Sequence, residues 1–203
     1  MTIEYDVTRE TYDKIASGYS SKHYGDTDFW NDCYKDMQKY LQKGTTILDA
    51  GCGPGRDVRY FLDHGYNIIG IDFSDGMLEE ARKNVPEGDF QKMSISELEF
   101  RDDYFEAVWN CASLQHLKLE DGIKSIKEFN RVLKPGGFVF VAVPEGTSSG
   151  MEDEALGKPR FFTRYQLDQL RNILIENGFE VLKTYSKIAP NKRPWIALIA
   201  KKN

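Results

Sequence analysis

The sequence has few cysteines, no long apolar run and no excess of basic residues, and each absence argues against a class of protein. Its three cysteines are widely separated and form no CxxC pair, which argues against a disulfide framework. No stretch approaches the roughly 20 apolar residues of a membrane span. The formal net charge of -5 argues against binding of nucleic acid through clustered Lys and Arg. We therefore expect a cytoplasmic protein with neither a membrane nor a nucleic-acid partner.

Two further absences narrow the range of protein classes that fit the sequence. The first ten residues carry acids and lack an apolar run, so they do not resemble a secretory signal. His23, His64 and His116 do not cluster with cysteines at ligand spacing, so we predict no metal site. What remains is ordinary for a globular chain of 203 residues, with 40% hydrophobic and 29% charged residues. We assign residues 1–203 to a single domain.

The chain divides into a helical N-terminal part and a longer alternating part. Residues 8–43 are polar and helical in pattern, with scattered aromatic residues, and a break near Gly25 and Asp26 separates two helices. We predict a cap over residues 1–43 and a core over residues 44–203. Within the core, apolar runs alternate with helical spacing, which predicts a parallel sheet with helices on both faces. The predicted strands are 46–50, 67–72, 90–93, 105–109 and 138–143.

The C-terminal part of the sequence breaks this alternation. A helix predicted over 163–177 stops at Gly178, and two strands follow over 179–185 and 195–200 without a helix between them. Consecutive strands joined by a short polar loop pair antiparallel. We therefore predict a doubly wound sheet that finishes in an antiparallel hairpin, a feature that ordinary dinucleotide-binding domains lack.

A glycine-rich segment directly follows the first predicted strand. Gly51, Gly53 and Gly55 form a GxGxG pattern, which lets the backbone turn sharply and lets a ligand touch the main chain. Alone this pattern is a weak signal, since such glycines also serve plain tight turns. Asp72 closes the next strand about 20 residues on, the distance at which an acid accepts hydrogen bonds from ribose hydroxyls. The competing interpretation of Asp72 is a helix cap or turn residue.

Taken together, these segments resemble the class I S-adenosylmethionine-dependent methyltransferases. The resemblance is carried by ILDAGCGPGRD (47–57), IIGIDFSDGML (68–78), YFEAVWNCASLQHL (104–117), RVLKPGGFVFVAVPEG (131–146) and NGFEV (177–181). The DAGCGPGRD and ASLxHL pattern is similar to a group of small methyltransferases labelled as related to tellurite resistance. The resemblance implies an α/β, Rossmann-like, doubly wound seven-stranded sheet with strand seven antiparallel. It also implies S-adenosylmethionine as cofactor and S-adenosylhomocysteine as product.

The same resemblance implies where the cofactor is held. Asp49 and the Gly51–Gly53 loop, with Cys52 inside it, would lie beside the methionine half. Asp72 would bind the ribose hydroxyls and Phe73 would pack on the adenine. Further contacts would come from Ser94 or its neighbour Met93, from Ile95, and from Asn110 through its carbonyl. Arg56 either pairs with the cofactor carboxylate or is a solvated residue at a helix start.

Residues for the acceptor side are less constrained, because in-line methyl transfer mainly needs positioning. A base is needed only when the acceptor must lose a proton. His116 is the first candidate and Glu145 the second; their competing interpretations are a packed histidine and a solvent-facing loop acid. Gly146–Lys158 is polar and Gly-rich and is a candidate lid. Candidate acceptor contacts are Tyr12, Tyr19, His23, Arg160, Phe161 and Phe162.

The leading functional hypothesis is a methyltransferase that acts on a small-molecule acceptor, as a monomer or homodimer. The alternatives are a protein or RNA methyltransferase, and a regulatory protein that binds S-adenosylmethionine without turnover. A nicotinamide-dependent oxidoreductase is a further alternative, but the GxGxG spacing and the terminal hairpin speak against it.

Overall fold

The computed structural model describes residues 3–153 and 158–203, which form a central sheet, flanking helices and a small hairpin. The central strands are β1 (Thr46–Ala50), β2 (Asn67–Asp72), β3 (Asp89–Lys92), β4 (Phe105–Cys111), β5 (Leu133–Pro144), β8 (Phe179–Ile188) and β9 (Pro194–Lys202). The hairpin is made of β6 (Ser149–Asp153) and β7 (Pro159–Thr163). The helices are α1 (Ile3–His23), α2 (Asn31–Gln38), α3 (Arg56–Asp63), α4 (Asp75–Asn84), α5 (Leu119–Val132) and α6 (Leu167–Glu176).

The strand order of the central sheet is β3-β2-β1-β4-β5-β9-β8. Strands β1 to β5 pair parallel, whereas β9 pairs antiparallel with both β5 and β8. The prediction of a doubly wound, Rossmann-like seven-stranded sheet with an antiparallel strand is confirmed. The direction of winding reverses between β1 and β4, and in such sheets ligands bind in the crevice outside the carboxyl ends of the strands at that point.

Two apolar clusters cover the two faces of the sheet. On one face, Phe129 of α5 and Leu174 of α6 pack against strand residues such as Leu48 and Val108. On the other face, α2, α3 and α4 cover a cluster that contains the stacked rings of Tyr34, Trp109 and Phe140. The Trp109 centroid lies 4.7 Å from that of Tyr34 and 3.8 Å from that of Phe140. Because β5 is buried on both faces along Val139–Pro144, its sequence is continuously apolar.

Helix α1 crosses the carboxyl edge of the sheet, and its buried face packs on α4. Tyr12, Ile15 and Ala16 form a small apolar cluster with Met77. The predicted helical cap is therefore present, with a break after His23 where the sequence has Gly25. Its second helix, α2, does not share this position, since it packs on a face of the sheet.

The β6–β7 hairpin corrects the predicted start of the last helix and overlaps the candidate lid. Thr163 was predicted to begin a helix, but it ends β7, and α6 begins four residues later at Leu167. The capping box formed by Gln166 and Gln169 fixes this start. The candidate lid over 146–158 contains β6, whose Ser149–Asp153 pairs with Pro159–Thr163. Residues 154–157 of that candidate lie outside the described residues.

Across residues 3–153 and 158–203, no helix combines the length and apolar character that a membrane crossing requires. The same part of the chain contains no group of three or more His, Cys, Asp or Glu side chains able to hold a metal ion.

Candidate active site

A cavity opens at the carboxyl ends of β1, β2 and β4, beneath α1. It encloses about 860 Å³ of non-protein space, including the solvent at its mouth. Its walls come from α1, from the loops after β1, β2, β3 and β4, and from the starts of α3 and α4. The lining residues are Tyr5, Tyr12, Tyr19, His23, Gly51, Cys52, Gly53, Pro54, Arg56, Asp57, Asp72, Phe73, Met77, Met93, Ser94, Ile95, Cys111, Ala112, Ser113, His116 and Leu117.

The glycine loop after β1 forms the floor of this cavity. The amides of Gly51 and Cys52 both donate to the carbonyl of Ile71, at 2.9 Å each, which ties the loop to β2. Gly51 has a φ of 92°, and a Cβ there would lie 2.3 Å from the Cβ of Ser113. The loop can therefore pass this close to the segment after β4 only with glycine at this position.

Asp72 ends β2 with its carboxylate against this loop. One oxygen, Oδ2, accepts a hydrogen bond from the amide of Gly53 at 2.9 Å, and Oδ1 accepts one from the amide of Ser74 at 2.9 Å. Burial raises the pKa of Asp72 to about 6, although these amide donors oppose the rise. Each carboxylate oxygen retains acceptor capacity beyond these bonds. Asp72 thus presents a fixed acceptor pair to a ligand that carries neighbouring hydroxyls.

Arg56 and Asp57 form an ion pair in the wall of the cavity, with Asp57 buried and Arg56 partly buried. Arg56 donates from Nε to Oδ1 at 2.6 Å and from Nη2 to Oδ2 at 3.0 Å, and Nη2 also lies 3.4 Å from the sulfur of Cys111. Asp57 further accepts from Trp109 Nε1 at 2.9 Å and from the hydroxyl of Tyr34. Burial raises the pKa of Asp57, but Arg56 and these donors outweigh it, so the net pKa is lowered. Arg56 therefore lies in the cavity wall, and its pairing with a cofactor carboxylate stays a prediction.

Two residues predicted to contact the cofactor lie behind the cavity wall. Asp49 is completely buried, and neither of its carboxylate oxygens has a hydrogen-bond partner within the described part of the chain. Burial, reinforced by the charge of Asp57, holds the pKa of Asp49 well above its usual range. The side-chain amide of Asn110 donates to the carbonyl of Ala50 at 2.8 Å and to Ser113 Oγ at 2.6 Å, which braces the loop. Neither Asp49 nor Asn110 lines the cavity.

The wall beside Asp72 is flat and partly aromatic. The Phe73 ring lies 5.1 Å from that of Tyr5, centroid to centroid. Met93, Ser94 and Ile95 complete this wall, so both residues considered as alternatives after β3 reach the cavity. Tyr5 was not predicted from the sequence. Its signal was the seven-residue spacing of Tyr5, Tyr12 and Tyr19, which places all three on one face of α1.

That face of α1 forms the roof of the cavity, with the Tyr12 and Tyr19 centroids 5.7 Å apart and His23 4.4 Å from Tyr19. Burial raises the pKa of Tyr19. Burial also lowers the pKa of His23, and the positive charges of Lys22 and Arg56 add to this effect. The predicted positions of Tyr12, Tyr19 and His23 beside one cavity are thus supported by the geometry.

His116 joins the roof to the hairpin. Its Nε2 lies 2.7 Å from the hydroxyl of Tyr12, and its Nδ1 lies 2.8 Å from the carbonyl oxygen of Phe161. Arg160 donates from Nη1 to the same Tyr12 hydroxyl at 2.7 Å. His116 and Tyr12 line the cavity, whereas Arg160 and Phe161 are buried behind them and Phe162 packs its ring against His116.

Glu145 occupies a different place from the one its candidate role requires. It follows β5, forms a bridge with Tyr165, and its amide donates to the carbonyl of Pro194 at 2.9 Å. It does not line the cavity, so the geometry gives no support to Glu145 as a base there. Conversely, Asp57 and Ser113 line the cavity without having been singled out, although both lie inside the motifs that carried the resemblance.

Comparison with known proteins adds family and fold information. Residues 48–141 match the family model described as a methyltransferase domain. A 2-methyl-6-phytyl-1,4-hydroquinone methyltransferase from Synechocystis sp. is 36% identical over 106 residues, which are 50% of this chain and 33% of that protein. A tRNA (carboxymethyluridine(34)-5-O)-methyltransferase from Arabidopsis thaliana is 31% identical over 145 residues, 70% of this chain and 33% of that protein. The aligned regions with the first five curated relatives cover 33% to 63% of those relatives.

Among solved structures, the 1,6-didemethyltoxoflavin-N1-methyltransferase of Burkholderia thailandensis has the same fold. It superposes with a TM-score of 0.80 at 18% identity, covers 100% of this chain and 92% of its own, and contains S-adenosylhomocysteine. At this identity the likeness shows a shared fold, and the family model matches less than half of the chain. Membership of the narrower tellurite-resistance-related group stays a prediction.

Proposed function

We propose that this chain, whose residues 48–141 match the methyltransferase-domain family, transfers a methyl group from S-adenosylmethionine to a small-molecule acceptor. The observation that carries the proposal is Asp72, whose carboxylate lies in the cavity beside the glycine loop. A buried carboxylate held by two amides suits the two ribose hydroxyls of the cofactor. The cofactor would supply an electrophilic methyl group on a sulfonium.

We assign the other lining residues to separate parts of this cofactor. We assign the adenine to the wall made by Phe73 and Tyr5, with Ser94 and Ile95 at its edge. The main chain of Gly51–Gly53 would face the methionine half, with no side chain between ligand and backbone. Arg56 would meet the carboxylate while remaining paired with Asp57. The predicted contribution of Asn110 becomes indirect, since its side chain braces the loop from behind, and Asp49 lies behind the cavity wall.

We assign the acceptor to the space beneath the C-terminal half of α1, beside Tyr12, Tyr19 and His116. A small molecule is favoured over a macromolecule because α1 roofs the cavity and the hairpin side chains close the space behind His116. The hydroquinone methyltransferase and the toxoflavin-precursor methyltransferase among the relatives act on small ring compounds, as their names state. A cytoplasmic location and a monomeric or homodimeric state stay predictions.

The tRNA methyltransferase among the relatives supports a second candidate, methylation of RNA. The net charge of -5 speaks against it, because RNA binding draws on basic surface. Labelled S-adenosylmethionine should be incubated with a metabolite extract and, separately, with total tRNA. Label in the small-molecule fraction alone supports the leading proposal, and label in tRNA alone supports RNA methylation.

The direct test of the cofactor site is isothermal titration with S-adenosylmethionine and S-adenosylhomocysteine. Wild-type protein should bind both, and Asp72→Ala should weaken the affinity at least about tenfold, or about 1.4 kcal/mol, because a pair of charge-assisted bonds is lost. Asp75→Ala is the matched control, since Asp75 is exposed and pairs with Lys92 outside the cavity. Unchanged affinity in folded Asp72→Ala would remove Asp72 from the ribose site.

A further inference from the structure

Three polar side chains from separate parts of the chain meet in one buried row beside the cavity. Arg160 of β7 donates to the hydroxyl of Tyr12 on α1, and that hydroxyl lies 2.7 Å from Nε2 of His116 in the turn after β4. Nδ1 of His116 in turn lies 2.8 Å from the carbonyl oxygen of Phe161. Tyr12 and His116 border the cavity, whereas Arg160 lies behind them.

With His116 neutral, the chemistry of the two ends fixes the direction of each hydrogen bond from Arg160 through Tyr12 to His116. A carbonyl oxygen only accepts, so the proton of a neutral His116 sits on Nδ1 and Nε2 is left as an acceptor. A guanidinium only donates, so the oxygen of Tyr12 accepts from Arg160 and its own proton points to Nε2 of His116. The row therefore leads from the Tyr12 hydroxyl to the basic Nε2 of His116, and both residues line the cavity.

Two flanking hydrogen bonds keep the row in register. The hydroxyl of Thr8 accepts from the amide of Phe161 at 2.9 Å, and the hydroxyl of Thr11 donates to the carbonyl of Pro159 at 2.7 Å. Both threonines lie on α1 in the turn that precedes Tyr12. These two bonds join α1 to β7 directly beside the row. They limit the relative motion of Tyr12 and Arg160, which keeps the proton-transfer distances short.

We propose that Tyr12 is a catalytic residue that passes the acceptor's proton to His116, and that the acceptor is a phenol or an aromatic N–H compound. The inference rests on the proposed function, since it concerns the same methyl transfer. As the acceptor oxygen or nitrogen bonds to the methyl carbon, the carbon–sulfur bond breaks and both its electrons go to sulfur. The acceptor's proton moves to the oxygen of Tyr12, while the proton of Tyr12 moves to Nε2 of His116.

Charge is conserved in this step, because the positive charge lost at the sulfonium reappears on the imidazolium of His116. The Nδ1–H of that imidazolium stays on the carbonyl of Phe161. The guanidinium of Arg160, 2.7 Å from the phenolic oxygen, stabilises negative charge on Tyr12 during the double transfer. A neutral, weakly acidic acceptor needs such a relay, whereas a carboxylate or thiolate acceptor is already ionised.

The aromatic character of the acceptor follows from the walls next to Tyr12. The Tyr19 ring meets that of Tyr12 edge to face, and His23 lies 4.4 Å from Tyr19. Flat rings pack on such walls in stacked or edge-to-face arrangements. Arg56, which also lines the cavity, is paired with both oxygens of Asp57 and is assigned above to the cofactor carboxylate, so its charge is already balanced and an uncharged ring is favoured as acceptor.

The first test needs no acceptor and no substitution in the relay. The chain has three histidines, so the ¹⁵N spectrum of histidine-labelled protein with S-adenosylhomocysteine is simple and is assigned with His23→Gln and His64→Gln. We expect His116 to be neutral near pH 7.5 with its proton on Nδ1. A proton on Nε2, or a cationic ring, overturns the relay, since the Tyr12 hydroxyl would then have no acceptor.

The second test measures methyl transfer from labelled S-adenosylmethionine to 4-methylphenol, 4-nitrophenol, indole, benzoate and thiophenol. Phenol or indole methylation supports the acceptor class. Transfer confined to benzoate or thiophenol, or to no member by a protein that binds S-adenosylhomocysteine, overturns it. Absence of S-adenosylhomocysteine binding is a different result, because it defeats the proposed function itself.

The variant Tyr12→Phe then distinguishes a hydroxyl that relays a proton from a hydroxyl that only holds its neighbours in place. It should slow kcat for 4-methylphenol at least about a hundredfold, the lower end of general-base effects. The loss should largely vanish for 4-nitrophenol, which is much more acidic and ionises without help. Tyr24→Phe is the matched control, because it removes a hydroxyl that bonds Asn84 outside the cavity, and it should leave both rates within twofold. Equal losses for both phenols in Tyr12→Phe overturn the relay.

Discussion

At the scale of single residues, the cavity floor depends on one atom that Gly51 lacks. Its neighbour Ser113 occupies the space that a Cβ would need, with 2.3 Å to both Cβ and Oγ of the serine. Ser113 cannot move freely, since its hydroxyl donates to the carbonyl of Ala50 at 2.9 Å and accepts from Asn110. Gly51 is therefore fixed by sterics as well as by its backbone angle.

Gly51→Ala and Gly53→Ala form a matched pair that separates these two causes. Both glycines have positive φ, 92° and 50°, but no atom lies within 4 Å of a Cβ built on Gly53. Each variant should lose about 1 kcal/mol for a non-glycine residue in the left-handed region. Gly51→Ala should lose about 2 kcal/mol more through overpacking. Urea unfolding of the unliganded proteins measures both values, and equal losses would mean that Ser113 yields without cost.

At the scale of elements, α1 is held over the cavity by a carboxylate that caps another helix. Oδ1 of Asp13 accepts from the hydroxyl of Ser74 at 2.7 Å and from the amide of Gly76 at 3.0 Å, at the N-terminus of α4. Gly76 permits this approach, because a Cβ there would lie 2.7 Å from the carbonyl oxygen of Asp13. A negative charge at a helix N-terminus also interacts favourably with the helix dipole.

Asp13→Ala should therefore loosen α1 without altering any residue that lines the cavity. Loss of the two bonds is worth about 1.5 kcal/mol, so the amides of α1 should exchange hydrogen at least about tenfold faster. S-adenosylhomocysteine should bind more weakly as well, since α1 carries four of the lining side chains, Tyr5, Tyr12, Tyr19 and His23. Hydrogen exchange of a peptide from α1 gives the first value and titration gives the second.

The control for that variant is Glu10→Ala, which removes an exposed ion pair with Lys14 on the same helix. Exposed pairs of this kind contribute little to stability. If Glu10→Ala raises exchange in α1 as much as Asp13→Ala does, the contact with α4 is not what holds the helix.

Elements also differ in how far the sequence predicts them. Strands β1 and β2 and the part of β5 over residues 138–143 are short apolar runs bounded by turn residues, so a local pattern specifies them. Strand β6 has no such pattern, since Ser149, Gly150, Glu152 and Asp153 surround the exposed Met151, and pairing with β7 decides its conformation. The same contrast applies to the site. Asp72 and the glycines lie in local motifs, whereas Tyr5 reaches the cavity only because α1 folds back onto α4, where Asp13 contacts Ser74 and Gly76.

At the scale of the whole molecule, the fold buries the carboxyl of Asp72 where its negative charge costs stability. Burial raises the pKa of Asp72 from an ordinary value of 3.8 to about 6. A carboxyl whose pKa is raised by folding stabilises the folded state below its unfolded pKa, and this contribution is lost as the pH rises through the folded pKa. The window for Asp72 is therefore from about pH 4 to about pH 6 to 7.

Comparison of wild type with Asp72→Asn isolates this contribution, because the variant does not titrate at that position. We expect the free energy of unfolding of unliganded wild type, relative to Asp72→Asn, to fall by up to about 3 kcal/mol between pH 4 and pH 7, since each pH unit between the two pKa values is worth about 1.4 kcal/mol. Urea unfolding at several pH values measures the difference, and other titrating groups cancel to first order.

Cofactor binding should depend on pH in the opposite sense, because ribose hydroxyls donate to the ionised carboxylate. With a pKa of about 6, one tenth of the Asp72 side chains are ionised at pH 5, so the Kd for S-adenosylhomocysteine should rise about tenfold between pH 7 and pH 5. Titration calorimetry at both pH values measures this change. If the affinity holds at pH 5 while the stability difference follows Asp72, then Asp72 is a buried acid of the fold and the ribose is held elsewhere. If the stability difference and the Kd both follow the ionisation of Asp72, then the same carboxylate that lowers the stability of the unliganded protein binds the cofactor.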